Sequence, residues 1–164
     1  RAEIDKSSTR SLPIYSLDTG LIFERNSTVF GRETEQTLEP RLFYAYIPYR
    51  NQRHMPNFDS SSADLNFAEL FTPNKYTGFD RIANTNQLSA VLTTRYIDSG
   101  TGKEWFSATV GQRYYFTDEK VDLYWSNPGK TKNRSDVLAA SQFSLFEGWR
   151  LEGAIQYSTE WSRI

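Results

Sequence analysis

The sequence predicts an all-β fold, an antiparallel transmembrane β-barrel segment of about six strands with two long extracellular loops. Three observations carry this. Bulky apolar residues recur at every second position, as from Leu38 to Tyr46, where Leu38, Leu42, Tyr44 and Tyr46 share one face, with Pro40 the exception, and Glu39 and Arg41 lie between them. Such segments recur about six times at roughly ten to fourteen residues each, which suits bilayer-crossing strands better than the five or six residues of an ordinary strand. Two connections are long and two very short, with that from Asn26 to Gln36 intermediate, an asymmetry that matches the outer-membrane barrel habit of short periplasmic turns and long outside loops.

The first strand is expected over Ile14 to Arg25, with Tyr15, Leu17, Thr19, Leu21 and Phe23 on one face. A polar connection through Asn26, Ser27, Gly31, Arg32 and Glu33 then leads to a second strand, Thr37 to Ile47, which Pro48 ends because proline cannot donate to the ladder. Tyr49 to about Thr85 shows no sustained alternation and contains Pro56, Pro73, Gly78 and the run Ser60, Ser61, Ser62, so it reads as a long loop. Its residues Phe58, Phe67, Leu70, Phe71, Tyr76 and Phe79 argue that the loop is packed, with a short helical turn near Ala68 to Phe71.

Asn86 to Tyr96 is the third strand, with Leu88, Ala90, Leu92, Thr94 and Tyr96 facing one way. Ser99-Gly100-Thr101-Gly102 predicts a tight hairpin turn. The fourth strand, Glu104 to Phe116, turns Phe106, Ala108, Val110, Tyr114 and Phe116 outward and Ser107, Thr109, Gly111 and Arg113 the other way, with Trp105 and Tyr115 out of pattern. A second long polar loop, Thr117 to Ser135, carries Asn127-Pro128-Gly129. Val137 to Leu145 follows as the least regular strand, because Leu138 and Ala140 blur its alternation. After a turn at Phe146 to Trp149, Leu151, Gly153, Ile155, Tyr157, Thr159 and Trp161 alternate with polar residues. The residues expected to face lipid are Leu42, Tyr44, Tyr46, Leu88, Leu92, Phe106, Val110, Tyr114, Ile155 and Tyr157.

Composition narrows the function classes. Nineteen basic and twenty acidic residues give a formal charge of -1, which offers no footprint for nucleic acid and no basic run for an anionic membrane surface. No stretch approaches the roughly 18 apolar residues of a membrane helix. A mean hydropathy of -0.64 looks soluble, but a barrel is apolar only at alternate positions and its polar loops dilute the mean. The 15% aromatic share is more informative, because tyrosine and tryptophan suit the headgroup level of a bilayer. Without cysteine there is no disulfide and no thiolate metal site. The start at Arg1 reads as an internal piece of something longer, with no secretory signal within it.

The runs Gln36-Thr-Leu-Glu-Pro-Arg-Leu-Phe-Tyr-Ala-Tyr-Ile-Pro-Tyr-Arg50, Phe79-Asp-Arg-Ile82, Asn86-Gln-Leu88 and Gly111-Gln-Arg-Tyr-Tyr-Phe116 resemble the barrel of the LptD family of LPS-assembly proteins, also called organic solvent tolerance proteins. The likeness covers most of the chain and is weakest in the first ten residues and in the Thr117 to Ser135 loop. It implies a closed outer-membrane barrel of about 26 strands in a Gram-negative bacterium. It also implies that the barrel holds the lipoprotein plug LptE, is folded by the barrel assembly machinery, and receives lipopolysaccharide from a periplasmic bridge protein through an N-terminal jelly-roll domain. The lipid would leave between the first and last strands. Residues 1–164 would then be a partial barrel domain without that periplasmic domain or those two strands, and transport by this piece alone is not expected.

On this reading Glu39, Arg41, Arg95 and Arg113 face the lumen, either as a solvated charge network or in contact with the plug. Glu39 and Arg41 could pair with each other or with charges on neighbouring strands. Pro40 reads as a bulge or bend rather than a gate. Arg50, Arg53, Lys75 and Arg81 are candidates for the phosphates of lipopolysaccharide, while Asp80 and Arg81 could instead form an ion pair within the loop. His54 has no second histidine or cysteine to complete a metal site, and Asp59, Asp64, Glu69 and Asp80 lack the spacing of a calcium loop. No nucleophile, base and orienting group converge, and Gly100-Thr101-Gly102-Lys103 lacks P-loop spacing, so neither an enzyme nor a cofactor is expected. Two other readings stay open on the residues alone. A passive porin would conduct across a planar bilayer, and a soluble β-sandwich binding carbohydrate would dissolve without detergent.

Overall fold

The structure, a computed structural model, describes residues 11–51, 61–62, 65–74, 76–77, 82–118, 120–121, 133–146 and 148–158. The features expected at Arg53, His54, Asp59, Asp64, Lys75, Asp80, Arg81, Asn127 to Gly129 and Trp161 lie outside the described residues. Among the described residues the strands are β1 (Tyr15–Gly20), β2 (Phe23–Val29), β3 (Arg32–Ile47), β4 (Ser61–Ser62), β5 (Tyr76–Thr77), β6 (Thr85–Asp98), β7 (Glu104–Tyr115), β8 (Val137–Phe146) and β9 (Trp149–Tyr157). A 3-10 turn, η1, covers Glu69–Phe71. Seven strands form one antiparallel sheet in the order β1-β3-β6-β7-β8-β9, with β2 also on β3, while β4 and β5 pair separately. Among the described residues the sheet does not close on itself, and no helix is long and apolar enough to cross a membrane.

Two expectations for the N-terminal third need correction. The predicted strand Ile14 to Arg25 is interrupted, yet its two halves keep one register on β3, since Gly20 faces Arg41 and Phe23 faces Leu38. The interruption sits across from Pro40. Leu21 still donates its N–H to the Pro40 carbonyl at 3.0 Å, but proline has no N–H to return, so half of a ladder pair is missing. Pro40 thus opens the pairing locally without shifting it. The predicted polar connection from Asn26 to Gln36 is itself strand, because Asn26 pairs with Glu35 and Val29 with Arg32. Only Phe30 and Gly31 turn the chain, with φ of 51° and 76°, the two positive values that a tight hairpin of matching twist requires.

This correction makes the connection pattern more regular. The tight turns after β2, β6 and β8 fall at one end of the sheet, and both long connections, after β3 and β7, fall at the other. At the second turn the Asp98 carboxylate accepts the N–H of Gly100 at 3.0 Å and of Thr101 at 2.8 Å. The long connections are packed against each other: the Tyr76 hydroxyl donates to the Val121 carbonyl at 2.8 Å, and Asn84 donates to the Asp118 carbonyl at 2.9 Å. Tyr76, Ala83 and Val121 form a small core there. The helical turn expected near Ala68 to Phe71 is present as η1, and it lies against the sheet.

Gly31 has open space around its missing Cβ, so its backbone angle alone selects glycine. In the folded full-length protein, Gly31→Ala should cost about 1 kcal/mol and Gly31→Asn clearly less. Denaturant midpoints in detergent test this, and equal losses for the two variants would show that the turn angle is not the cause.

Candidate functional site

The register divides the sheet into two chemically different faces. Strand pairs bring Tyr44 beside Leu88 and Leu88 beside Tyr114, Leu92 beside Val110, Tyr96 beside Phe106, Phe106 beside Phe143, and Phe143 beside Leu151. By alternation, all ten residues expected to face lipid share this face, and most of its large side chains are exposed. Aromatic rings bound it at both ends. Tyr15 stacks on Tyr46 with centroids 6.3 Å apart towards the long connections. Towards the tight turns, Tyr96, Trp105, Phe106 and Phe143 form a continuous chain with centroid separations of 5.5, 6.2 and 4.4 Å. Trp105, out of pattern in the sequence, joins this chain because the register shifts at Tyr96/Ile97.

The opposite face carries Glu39, Arg41, Arg95 and Arg113, again by alternation. Glu39 Oε1 accepts from Arg95 Nε at 3.0 Å and from the Thr37 hydroxyl at 2.8 Å, and Arg95 Nη1 reaches Glu104 Oε2 at 2.9 Å. Arg95 therefore bridges carboxylates from β3 and β7. Arg41 pairs with neither Glu39 nor Arg95; it grips Asp18 of β1 with two nitrogens at 2.9 and 2.5 Å, and its guanidinium lies 3.7 Å over the Phe71 ring. A bidentate fork plus an aromatic face is a use that arginine serves and lysine does not. Glu39, Arg41, Arg95, Phe67 and Phe71 line an open cavity of about 530 Å³.

The fourth arginine is used differently. Arg113 is only 3% exposed, and its guanidinium donates to the Glu69 carbonyl, to Thr72 O at 3.5 Å and to the Ser89 hydroxyl at 3.3 Å. It therefore adds a charged donor to the carbonyls of Glu69 and Thr72 at the end of η1, where a cation is favoured. Gln87 adds a 3.1 Å bond to Thr72 O. Between these polar anchors Leu70 is 0% exposed in a socket formed by Val91, Leu138 and Gly111, with Leu65, Phe67 and Phe71 packed around it. A Cβ on Gly111 would come within 2.7 Å of Leu70 Cδ1 and 2.9 Å of Val91 Cγ2, so the socket exists because position 111 has no side chain.

Sequence reading brought Glu39 and Arg95 together but missed Asp18 and Glu104 as partners. It also missed the socket. Two signals pointed to it: a glycine inside a strand marks close approach, and Leu138 broke the alternation of β8 because it faces the buried Leu70. Of the phosphate candidates, Arg50 is exposed just beyond β3. Among the described residues no three His, Asp or Glu side chains gather as a metal site would require.

Arg95 and its carboxylates are about a third exposed, so their pairing should be weak. A double-mutant cycle of Glu39→Gln and Arg95→Gln should give a coupling below about 1 kcal/mol. A coupling several times larger would mean that the pair is closed off from water in the assembled protein.

The family model described as LptD, LPS transport system D, matches residues 1–164. The LPS-assembly protein LptD of Aromatoleum aromaticum is 49% identical over 152 residues, which is 93% of this chain and 19% of that protein. Those of Burkholderia thailandensis and Paraburkholderia xenovorans are 46% and 44% identical over 155 residues, in each case 94% of this chain and 20% of the relative. The chain thus spans about a fifth of the length of these relatives.

Proposed function

Since this chain belongs to the LptD family, we propose that it is a section of the wall of an outer-membrane β-barrel that delivers lipopolysaccharide to the outer leaflet in a Gram-negative bacterium. The observation that carries this is the pair of faces: a broad apolar face rimmed by aromatic rings, backed by one bearing paired charges. The apolar face is the lipid side. From the row of Tyr46 and Asn86 to the row of Tyr96 and Phe106 is about ten residues, or about 34 Å of strand, which a 40° tilt reduces to about 26 Å, the height of an outer-membrane apolar band. The tight turns then face the periplasm, and the long connections face the exterior.

The role is non-catalytic. The wall supplies a lipid-facing belt on one side and, on the other, charges that keep the interior wet. Glu39, Arg41 and Arg95, around the open cavity, are the residues offered to the lipoprotein plug LptE or to the sugars of the cargo; Arg113 is withdrawn from that role by its contacts with η1. Arg50, with Arg53, Lys75 and Arg81, serves as a phosphate contact at the outer surface. The periplasmic bridge protein would act through parts of the protein beyond this section, and the barrel assembly machinery would insert the whole.

Face-specific substitution in the full-length protein tests the wall reading. Val110→Arg near mid-band should cost about 2 to 4 kcal/mol and abolish heat-modifiable gel mobility, whereas Thr109→Arg on the other face should be tolerated. Equal tolerance of both would remove the bilayer from the explanation. The plug reading has its own check: Glu39→Ala with Arg41→Ala should reduce copurification of LptE, and undiminished recovery would exclude contact there. High conductance of the purified complex across a planar bilayer would favour a passive channel over a translocon.

A further inference from the structure

Charge at the tight-turn end of the sheet is sorted by side. In the hairpin of β2 and β3, Glu24, Glu33 and Glu35 fall on the charged face by alternation, whereas Arg25, across from Gln36, and Arg32, across from Val29, fall on the apolar side. Lys103 joins them there, because its carbonyl accepts the Asp98 N–H at 2.9 Å and it alternates with Glu104 of the charged face. Among the described residues, no outward position of β3, β6 or β7 between the two aromatic rims is charged. The cations therefore begin where the apolar band ends.

All three cations are exposed, and among the described residues none is in a salt bridge. Arg25 is held in place by side chains of the rim: its Nε donates to Gln36 Oε1 at 2.8 Å, and Gln36 Nε2 donates to the Tyr96 hydroxyl at 2.8 Å. Both terminal nitrogens of its guanidinium stay available. The outward carboxylate beside them, Asp98, is occupied by its own turn, accepting from the N–H groups of Gly100 and Thr101 and from the Thr101 hydroxyl. The two turns are joined by the Ser99 N–H, which donates to Glu33 O at 3.0 Å. Phe30 adds an aromatic ring at the tip. It is 93% exposed, holds a φ of 51° that suits asparagine or glycine better, and sets its ring edge-on to Trp105 with centroids 6.5 Å apart.

From this we propose that the outward side of the β2–β3 and β6–β7 turns binds the phosphate of an anionic phospholipid in the leaflet on the tight-turn side. This rests on the wall reading, which makes the apolar side the lipid side and that leaflet the periplasmic one. The heights agree. Lys103, paired with Asp98, lies two residues beyond the Tyr96 row, about 7 Å of strand or about 5 Å of height at a tilt of about 40°, and a headgroup layer is about 5 to 7 Å thick. Arg25 then stands at the upper boundary of that layer and Lys103 within it, while Arg32 lies below with a side chain long enough to reach back. Two guanidinium groups and an ammonium, facing one occupied carboxylate, match the charge and the several oxygens of a phosphate. The chain as a whole carries a formal charge of -1, so the attraction comes from placement and not from net charge.

The test uses the full-length protein, copurified with its natural partners, in phosphatidylcholine vesicles with about a tenth phosphatidylglycerol. With p-benzoylphenylalanine in place of Phe30, illumination should attach lipid whose ratio of phosphatidylglycerol to phosphatidylcholine exceeds that of the vesicle about tenfold, or about 1.4 kcal/mol. Arg25→Gln with Arg32→Gln and Lys103→Gln should bring the ratio to within about twofold of the vesicle's, and an unchanged ratio overturns the site. Glu33→Gln with Glu35→Gln raises the net charge but leaves the outward side alone, so it should shift the ratio by less than about twofold. A rise as large as the loss in the outward variant would make net charge the cause and overturn the site. Inorganic phosphate should compete no better than sodium chloride at equal ionic strength, since stronger competition would mean a free-phosphate site. Heat-modifiable mobility shows that each variant folds as a barrel. A second photoprobe in place of Leu92 separates the two readings. Lipid adducts at Leu92 without phosphatidylglycerol enrichment at Phe30 overturn the headgroup site alone, whereas absence of lipid adducts at Leu92 overturns the wall reading and the site with it.

Discussion

The division of the sheet into two faces depends on register. Side chains alternate across a strand, so a one-residue slip between any two strands would carry apolar residues to the charged face from that point on. β3 and β6 pair over fourteen residues without a shift, from Thr34 with Asp98 to Ile47 with Thr85. The two shifts in the sheet are at Tyr96/Ile97 between β6 and β7 and near Ser144/Phe146 between β8 and β9. Both lie at the tight-turn end. Between those bulges and the long connections the parity of every strand is preserved, so alternation in six consecutive strands of the sheet, β1, β3, β6, β7, β8 and β9, produces one continuous apolar surface.

That constraint also explains what was legible in advance. Alternation is a local property, so the strands, the sides of the ten apolar candidates and the four charged ones followed from the residues themselves. Strand ends were harder, because Asn26 to Gln36 is polar on both faces and its pairing is set by the Phe30-Gly31 turn rather than by burial. The pairing of Arg41 with Asp18 was hidden for another reason: the two residues are 23 positions apart and meet only through the register of β1 on β3. The socket was the least legible part. Its members, Leu70, Val91, Gly111 and Leu138, come from four parts of the chain, and each looked like a minor irregularity in its own segment.

Those irregularities share a cause. A face turned towards water should be polar, yet Phe43, Val91 and Leu138 sit on the charged side. All three lie beneath or beside the segment from Leu65 to Phe71, and elsewhere that side carries Asp18, Glu39, Thr93, Arg95 and Thr109. Phe43, Val91 and Leu138 therefore mark the footprint of the docked segment on the charged side. A single strand read alone shows a broken pattern, whereas the assembled sheet shows two coherent patches, one dry and one wet.

The two patches differ in how firmly they hold. The ion pairs of Glu39, Arg95 and Arg41 are partly exposed, and such pairs contribute at most about 1 kcal/mol. Burying a leucine contributes about 1.5 to 3 kcal/mol, and at Leu70 this is joined by the bonds from Arg113 and Gln87 to main-chain carbonyls. The docked segment is therefore held by its apolar socket and its buried donors, while the charges around the open cavity stay solvated and weakly paired. Weak, solvated pairs can be replaced at little cost, whereas the docked segment cannot leave the sheet without exposing Leu70 to water.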